Sequence, residues 1–394
     1  MGTPTPFFSP PHKGAVHRAR RVADRRDDAA YGRAMRRSLE RYAGALIHHR
    51  EWGRLGFHTR DLASEHFTTV FPGYRTPTDH PATVNVMAWV LQNRVQPGCV
   101  LSHTTAALFW GIPFPLRLDS GLGALYRPGL PVRRGVAVIP VVEPESSLRS
   151  GARLPVLRCR VDRGGTSGVG RGAIVHRLRP GHTAQLGPLT VSALPEVLRE
   201  LATMMPLWDV VAAADAIIGP RFRWPGETVP TLTAALEEAR GLHGTPRALA
   251  ALRLASPRVR SPGETVFRLL LGAAGFPPAT PNLRVREPLT GSAREIDLAW
   301  EGIGFGLEYD GDVHRRTKDQ WRKDEARRDE LSSYGWTLAR ANGADLAHPL
   351  RILLRLRRTM GRRGLRVPSE EHIRRTVAEV GAGRLSLRIA QRQP

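Results

Sequence analysis

Cysteine and lysine are almost missing from this chain, and each shortage excludes something. Of its 394 residues only Cys99 and Cys159 are cysteine. They lie far apart, outside any Cys-x-x-Cys spacing, so neither a disulfide framework nor a zinc finger is expected. Lysine occurs only at Lys13, Lys318 and Lys323, which leaves nearly all of the basic charge to arginine. With abundant Ala, Gly and Pro, this is the bias that a GC-rich genome imposes. No apolar run approaches the ~20 residues needed to span a bilayer, so no membrane association is expected. The opening Met1-Gly-Thr-Pro-Thr-Pro-Phe-Phe lacks a charged segment followed by an apolar one. It does not read as a secretory signal, and a cytoplasmic protein is the expectation.

What the chain does have is positive charge and apolar residues enough for real cores. Its length suggests two or three domains, and a hydrophobic content of 41% argues against global disorder. The net charge of +23 sets up a field that attracts phosphate polyanions with salt-sensitive affinity. DNA is therefore the expected partner. Part of the arginine excess follows from the compositional bias, so the charge serves as a footprint rather than a proof.

Residues 1–52 read as a basic N-terminal extension, opening Pro-rich and passing into His17-Arg-Ala-Arg-Arg and Met35-Arg-Arg-Ser-Leu-Glu-Arg-Tyr. Leu39, Tyr42, Leu46 and Ile47 recur at helical spacing and predict an amphipathic helix. It either packs on the next domain or forms an arm that contacts DNA. From 53 to 115 short helices alternate with turns. Thr59 reads as a hydroxyl N-cap, Phe71-Pro-Gly-Tyr as a turn, and Ala82 to Gln96 as a helix with Val86, Trp89 and Val90 inward. Pro97-Gly98 ends that helix, and Ser102 caps the next.

The run Pro97-Gly-Cys-Val-Leu-Ser-His-Thr-Thr-Ala-Ala-Leu-Phe-Trp-Gly-Ile-Pro113 resembles AbiEi-type antitoxin proteins of bacterial abortive-infection systems. The resemblance covers 53 to about 219 and is carried by this short motif. It implies a winged-helix-like region at 53–115 associated with DNA-binding regulation, and a toxin or a second copy of the chain as partner.

Residues 116–255 form an α+β middle region. Gly135-Val-Ala-Val-Ile-Pro-Val-Val and Gly172-Ala-Ile-Val-His-Arg-Leu read as strands. The glycine-rich stretch from Gly164 to Gly172 lacks a Gly-Lys-Ser/Thr ending and reads as a loop, not a phosphate loop. Leu189 to Ile218 reads as a helical pair. His176 and Asp215, on a strand and a helix, are assigned structural rather than catalytic roles.

The densest chemistry lies in residues 256–364. Ser261-Pro-Gly-Glu264 opens a helix and has the form of a capping box, which by itself accounts for Glu264. Arg294-Glu-Ile-Asp297-Leu-Ala-Trp reads as a strand with an aspartate among apolar residues. Gly304-Phe-Gly-Leu-Glu308-Tyr-Asp310 reads as another, reached through a short turn at Glu301-Gly302. Alternation places Glu308 and Asp310 on one face and Leu307 and Tyr309 on the other. Like charges at that spacing repel, and a hard Mg²⁺ or Mn²⁺ ion would neutralise them. Gly311-Asp-Val-His314 follows, then a charged helix, Trp321-Arg-Lys-Asp-Glu-Ala-Arg327-Arg328, before a strand at Trp336-Thr-Leu-Ala-Arg. Residues 365–394 read as a basic C-terminal tail.

This order of helix, strand, strand, helix and strand, with Ser-Pro-Gly-Glu, Glu-Ile-Asp-Leu-Ala-Trp, Leu-Glu-Tyr-Asp-Gly-Asp-Val-His and Tyr-Gly-Trp, resembles a restriction-endonuclease-like domain of unknown function. That domain is related to very-short-patch-repair endonucleases. The resemblance runs from about Ser256 to Leu346. It implies a metal-dependent phosphodiester hydrolase in which Asp297 and Glu308 hold Mg²⁺ or Mn²⁺ and Glu264 binds it directly or through water. Asp310 stands where the broader superfamily places a lysine. His314 is then the implied general base, since an imidazole titrates near neutral pH. Lys318 and Lys323 are read as supplying the missing charge, and with Arg327 and Arg328 as contacting DNA.

The expected fold is α+β and multidomain, with a winged-helix-like/α+β N-terminal region and a restriction-endonuclease-like α/β core carrying a mixed sheet. Two functions are compatible with it. The chain is a DNA endonuclease with a regulatory front half, or an antitoxin-like regulator whose nuclease fold no longer cuts.

Overall fold

A computed structural model describes residues 28–115, 118–119, 155–161, 168–177, 179, 181–220, 222, 227–286, 291, 293–310 and 328–381. The chain is a mixed α and β protein with three sheets, two of them mixed. It divides into two compact units: Met1–Trp110 with Phe114–Val197, and Gly111–Pro113 with Leu198–Pro394. Among the described residues no helix is long and apolar enough to cross a membrane. The strand read at 135–142 and residues 164–167 of the glycine-rich loop lie outside the described residues.

The first unit begins with α1 (Asp28–Glu40), β1 (Ile47–His48), α2 (His49–Arg54), α3 (Thr59–Leu62), β2 (Phe67–Phe71) and β3 (Tyr74–Pro77). The strands pair antiparallel in the order β1-β3-β2. One core joins Met35 and Leu39 of α1 to Tyr42, Trp52, Phe57 and Phe67. The four aromatic rings meet edge to face at centroid distances of 5.0–5.8 Å, the arrangement their quadrupoles favour. Position 52 therefore falls inside a core, not at the edge of an extension. The helix also stops earlier than its periodicity predicts, because Ile47 has joined β1. At α3 the cap is His58, not Thr59. The buried Asp61 accepts from His58 N (2.7 Å) and from the Tyr31 hydroxyl (2.5 Å), tying α3 to α1.

Next come α4 (Val84–Val90), a π-helical turn at Leu91–Val95, β4 (Val100–Leu101), α5 (His103–Trp110), β5 (Leu157–Val161), β6 (Ala173–Arg177), β7 (Thr183–Leu186) and β8 (Leu189–Ser192). The five strands form a sheet of order β6-β5-β4-β8-β7. The π turn inserts a residue and changes which face is buried. Met87, Ala88 and Leu91 are fully inside; Val86 and Trp89 are half-buried, with Arg94 over the Trp89 ring at 5.8 Å. From that turn, the buried Gln92 donates to the carbonyls of Cys99 (2.8 Å) and Thr190 (2.6 Å) and accepts from Thr190 N (3.1 Å). A side-chain amide thus substitutes for a strand at the junction of β4 and β8. Residues 189–192, read as helix in the sequence, are this inner strand.

Helix α6 (Leu194–Ala202) passes out of the first unit, and α7 (Leu207–Ile218), α8 (Val229–Glu238) and α9 (Thr245–Leu254) open the second. Then follow α10 (Pro262–Ala273), β9 (Thr280–Arg286), β10 (Ala293–Trp300), β11 (Phe305–Asp310), helical residues 328–333, β12 (Thr337–Asn342), α11 (Gly343–Ala347), α12 (Leu350–Arg362) and α13 (Glu370–Gly381). The sheet order is β12-β11-β10-β9: an antiparallel meander of β9, β10 and β11, with β12 parallel to β11. Strand β9 was not anticipated, because its exposed arginines and Pro281 hide the alternation. Phe267, Leu270 and Leu271 of α10 and Ile352, Leu353 and Leu356 of α12 cover one face, with Leu298, Trp300, Phe305 and Leu307. Ile373 of α13 joins the same core, so the region read as a tail contributes a packed helix.

Helices α7 and α10 are joined by a buried polar network. Asp215, 1% exposed, pairs with Arg268 (3.1 Å) and accepts from Thr265 Oγ1 (2.8 Å) and Ser256 N (2.6 Å). His176 lies in the first unit with partners of its own, so the two residues serve separate networks. Asp215→Ala is expected to destabilise the second unit by about 3–5 kcal/mol, because it strands a buried guanidinium; denaturant unfolding followed by tryptophan fluorescence measures the loss.

Candidate functional site

The carboxylates singled out in the sequence are distributed along α10, β10 and β11, and β10 carries one irregularity. Ile296 packs with Ala299 and Leu331 in one core, whereas Leu298 and Trp300 belong to the other. In a regular strand Ile296 and Leu298 would share a face. The alternation therefore breaks at Asp297. On one side, β9 and β10 pair through Leu283↔Ile296 and Pro281↔Leu298. Asn282 and Asp297 lie between those pairs, and Asn282 takes a left-handed φ of 44°, which asparagine tolerates. On the other side the β10–β11 ladder ends at Leu298↔Leu307. The Asp297 carboxylate then accepts the Tyr309 backbone N–H at 2.8 Å, taking the place of the missing ladder bond.

Glu308 and Asp310 flank Tyr309 and lie opposite Arg340 and Asn342 in the parallel register with β12. Tyr309 points to the α10 side, where it packs 6.1 Å from Phe267. Burial, with the Asp310 charge adding, pushes its phenol pKa up. Helix α10 is anchored on this ring: a Cβ on Gly263 would collide with Cε1 and Cδ1 of Tyr309.

Glu264 follows Gly263 in the first turn and is 6% exposed. Ser261 is the N-cap, as read, but the reciprocal bond of a capping box is altered. The carboxylate accepts from Arg260 N (3.1 Å), Ser261 Oγ (2.8 Å) and Asn282 Nδ2 (2.7 Å). Asn282 thus links Glu264 to the stretch of β9 that runs beside Asp297. Around the edge Arg260 pairs with Glu295, which also meets Arg284 at 3.5 Å, and Arg294 pairs with Glu330 at 2.8 Å.

An all-oxygen set suits Mg²⁺ or Mn²⁺. Yet among the described residues no three His, Cys, Asp or Glu side chains gather closely enough to hold a metal ion. Glu264 is turned into its cap, where both oxygens accept from protein donors, and Asp297 Oδ2 accepts a backbone N–H. His314, Lys318, Lys323 and Arg327 lie outside the described residues. Arg328 opens helical residues 328–333, whose Leu331 packs under Ile296. A concavity of about 860 Å³ in the second unit is elsewhere, bounded by α10, the 277–281 segment and α13; it contains none of these carboxylates.

Two features escaped the sequence reading. Asn282 gave no signal in a strand that itself went unrecognised. Arg351, Arg355, Arg358 and Arg362 were legible at helical spacing; they line the exposed side of α12 while Ile352, Leu353, Leu356 and Met360 are buried. No ion pair joins Arg351 or Arg362 to a described residue.

No known family model matches the chain, and no curated protein matches it in sequence.

Two alanine substitutions in α10 are expected to act in opposite directions. Gly263→Ala collides with Tyr309 and should cost about 1–3 kcal/mol, as overpacking does. Gly272→Ala has nothing within 4 Å of the added methyl and should stabilise by about 0.5–1 kcal/mol. Urea unfolding of both variants beside the wild type measures the pair.

Proposed function

We propose that the chain is a DNA-binding protein whose second unit is a restriction-endonuclease-like domain hydrolysing phosphodiester bonds in the presence of Mg²⁺ or Mn²⁺. The observation that carries this reading is the order helix, three-stranded meander, helix and parallel fourth strand, with Asp297 at the break in the second strand beside Glu308 on the third. In this reading Asp297 and Glu308 are the direct ligands. Glu264 acts through water, because direct ligation would require it to leave three protein donors. Asp310 replaces the customary lysine, and His314 is the assigned base. In this reading the winged-helix-like region is 53–115, which holds α3, β2, β3, α4, β4 and α5. The α12 arginines, with Lys318, Lys323, Arg327 and Arg328, give the basic surface for DNA.

A second reading is favoured by one observation: Glu264 and Asp297 are engaged by protein donors, and the described carboxylates do not form a ligand set. In that case the chain is an AbiEi-like antitoxin or transcriptional regulator, with a toxin or a second copy as partner, and the nuclease fold serves only to bind.

Asp297→Asn keeps an acceptor for Tyr309 N–H while removing the charge. It should abolish plasmid cleavage in Mg²⁺ or Mn²⁺ with DNA binding retained. Wild-type protein that leaves supercoiled, linear and single-stranded DNA intact in both metals would sink the enzyme reading in favour of the regulator. His314→Ala should slow cleavage by roughly 10²–10⁴ if this residue is the base.

DNA binding is testable separately. Replacing Arg351, Arg358 and Arg362 by Gln should flatten the dependence of log affinity on log salt by about 0.9 for each phosphate that is no longer neutralised. A slope unchanged from wild type would place the DNA elsewhere.

A further inference from the structure

The Ser102-His-Thr-Thr motif is not used by the proposed chemistry, yet it sits in an unusual cluster of the first unit. Helix α5 begins at His103, whose φ of 50° is left-handed, a conformation that costs a β-carbon residue roughly 1–2 kcal/mol. The His103 ring, 4% exposed, stacks on His176 of β6 at a centroid distance of 3.8 Å and an interplanar angle of 21°. Its Nδ1 is 2.9 Å from Ser102 Oγ. Arg158 of β5 reaches His176 Nε2 at 3.3 Å through Nη1, and its backbone N–H donates to Thr105 Oγ1 at 2.7 Å. The guanidinium is thus held against the imidazole on which His103 stacks, while the Arg158 backbone is bonded to the first turn of α5.

Two polar atoms of this neighbourhood are buried with no partner: Arg158 Nε and Thr104 Oγ1. Thr104 is wholly buried, in the same first turn. A guanidinium offers five N–H donors and no acceptor. Here its side-chain partner is a neutral imidazole, and no carboxylate among the described residues pairs with it. The charged and titratable groups against His176 are Arg158 from β5 and His103 from α5. Burial and the Arg158 charge lower the His176 pKa to about 4, so the ring is neutral at physiological pH. A half-buried cation, orphaned donors, the positive end of a helix dipole and a proton-accepting imidazole are together complementary to one kind of ligand.

We propose that Arg158, His176, His103 and the first turn of α5 form an oxyanion site that takes a phosphate group. This site is independent of the carboxylates in the second unit. An anion there supplies the acceptor that Arg158 lacks and reverses the electrostatics at His176, so binding takes up a proton.

The test is calorimetric titration of the full chain with inorganic sulfate, a phosphate analogue whose charge is fixed near neutrality so that any proton taken up is the protein's. It is run at constant ionic strength and about pH 6, between the depressed value and the ordinary 6.5, and repeated in buffers of different ionisation enthalpy. The expected result is saturable binding with net proton uptake. Arg158→Gln should weaken it roughly 10- to 100-fold, the worth of a charge-assisted hydrogen bond. Arg50→Gln, an equal charge change at an exposed residue, should not. His176→Gln should abolish the proton uptake while leaving weaker binding, which keeps the test valid if Arg158→Gln fails to fold. Absence of binding, binding without proton uptake, or equal weakening by Arg158→Gln and Arg50→Gln would each overturn the proposal. Competition with a short DNA duplex identifies the source of the phosphate. If sulfate displaces DNA in an Arg158-dependent manner, the site reads a nucleic-acid backbone; if DNA binding is untouched by Arg158→Gln, the ligand is a small phosphate compound.

Discussion

The second unit depends on one break in the pleat of its central strand. A strand of regular alternation could not place Ile296 in one core and both Leu298 and Trp300 in the other. The inversion at Asp297 makes that division, and it also leaves a carboxylate between two strands where a ladder bond should be. The cost is met locally: Asp297 accepts the Tyr309 N–H, Asn282 bends β9, and Asn282 in turn holds Glu264. Glu264 on α10 and Asp297 on β10 are thereby each tied to one side of the same sheet irregularity. Breaks of this kind re-aim side chains and are common beside active sites, which is why the irregularity, rather than any single carboxylate, supports the nuclease reading.

Arginine excess shapes the interior as well as the surface. Acidic residues are outnumbered, 36 against 59 basic ones, and several buried or partly buried ones carry guanidinium partners: Asp215 with Arg268, Glu295 with Arg260 and Arg284, Glu330 with Arg294. The planar fork suits such pairs better than an ammonium does. These arginines are consumed in joining elements, α7 to α10 and the α10 cap to β10. The surplus on α12 is different in kind. Its charges lie outside, over a buried apolar stripe, and the field they project is available to a polyanion.

The first unit uses polar side chains where backbone pairing runs out. Gln92 completes the β4–β8 junction, Arg160 reaches Ser192 Oγ and the carbonyls of Gly181 and His182, and Trp110 donates to the Ser192 carbonyl at 2.9 Å. Each of these groups is buried or nearly so and each finds acceptors. Arg158 is the contrast. It has the same residue type and lies on the same strand as Arg160, but its side-chain partner is an imidazole. That difference between two arginines two positions apart separates a guanidinium bonded to oxygen acceptors from one whose Nε is buried without a hydrogen-bond partner.

Local features were legible in the residues alone. Ser261-Pro-Gly-Glu264 could only start a helix, because its cap, its proline and its first-turn carboxylate all serve that end. The alternation around Leu307 and Tyr309 made β11 a strand with Glu308 and Asp310 on one side. The short Glu301-Gly302 turn made β10 and β11 neighbours. Long-range packing settled the rest. Strand β9 was illegible because exposed arginines and a proline mask its apolar side, and without it Asn282 had no role. Helix α13 read as a basic tail because its apolar positions are sparse, and only the groove beside α10 shows what Ile373 fills. Residues 189–192 carried a helical reading because what buries them, Gln92 and β4, lies far back along the chain. Whether Glu264 caps a helix or serves a metal is likewise a question of which donors surround it, and Asn282, one of those donors, arrives from a strand that the residues around Glu264 do not foretell.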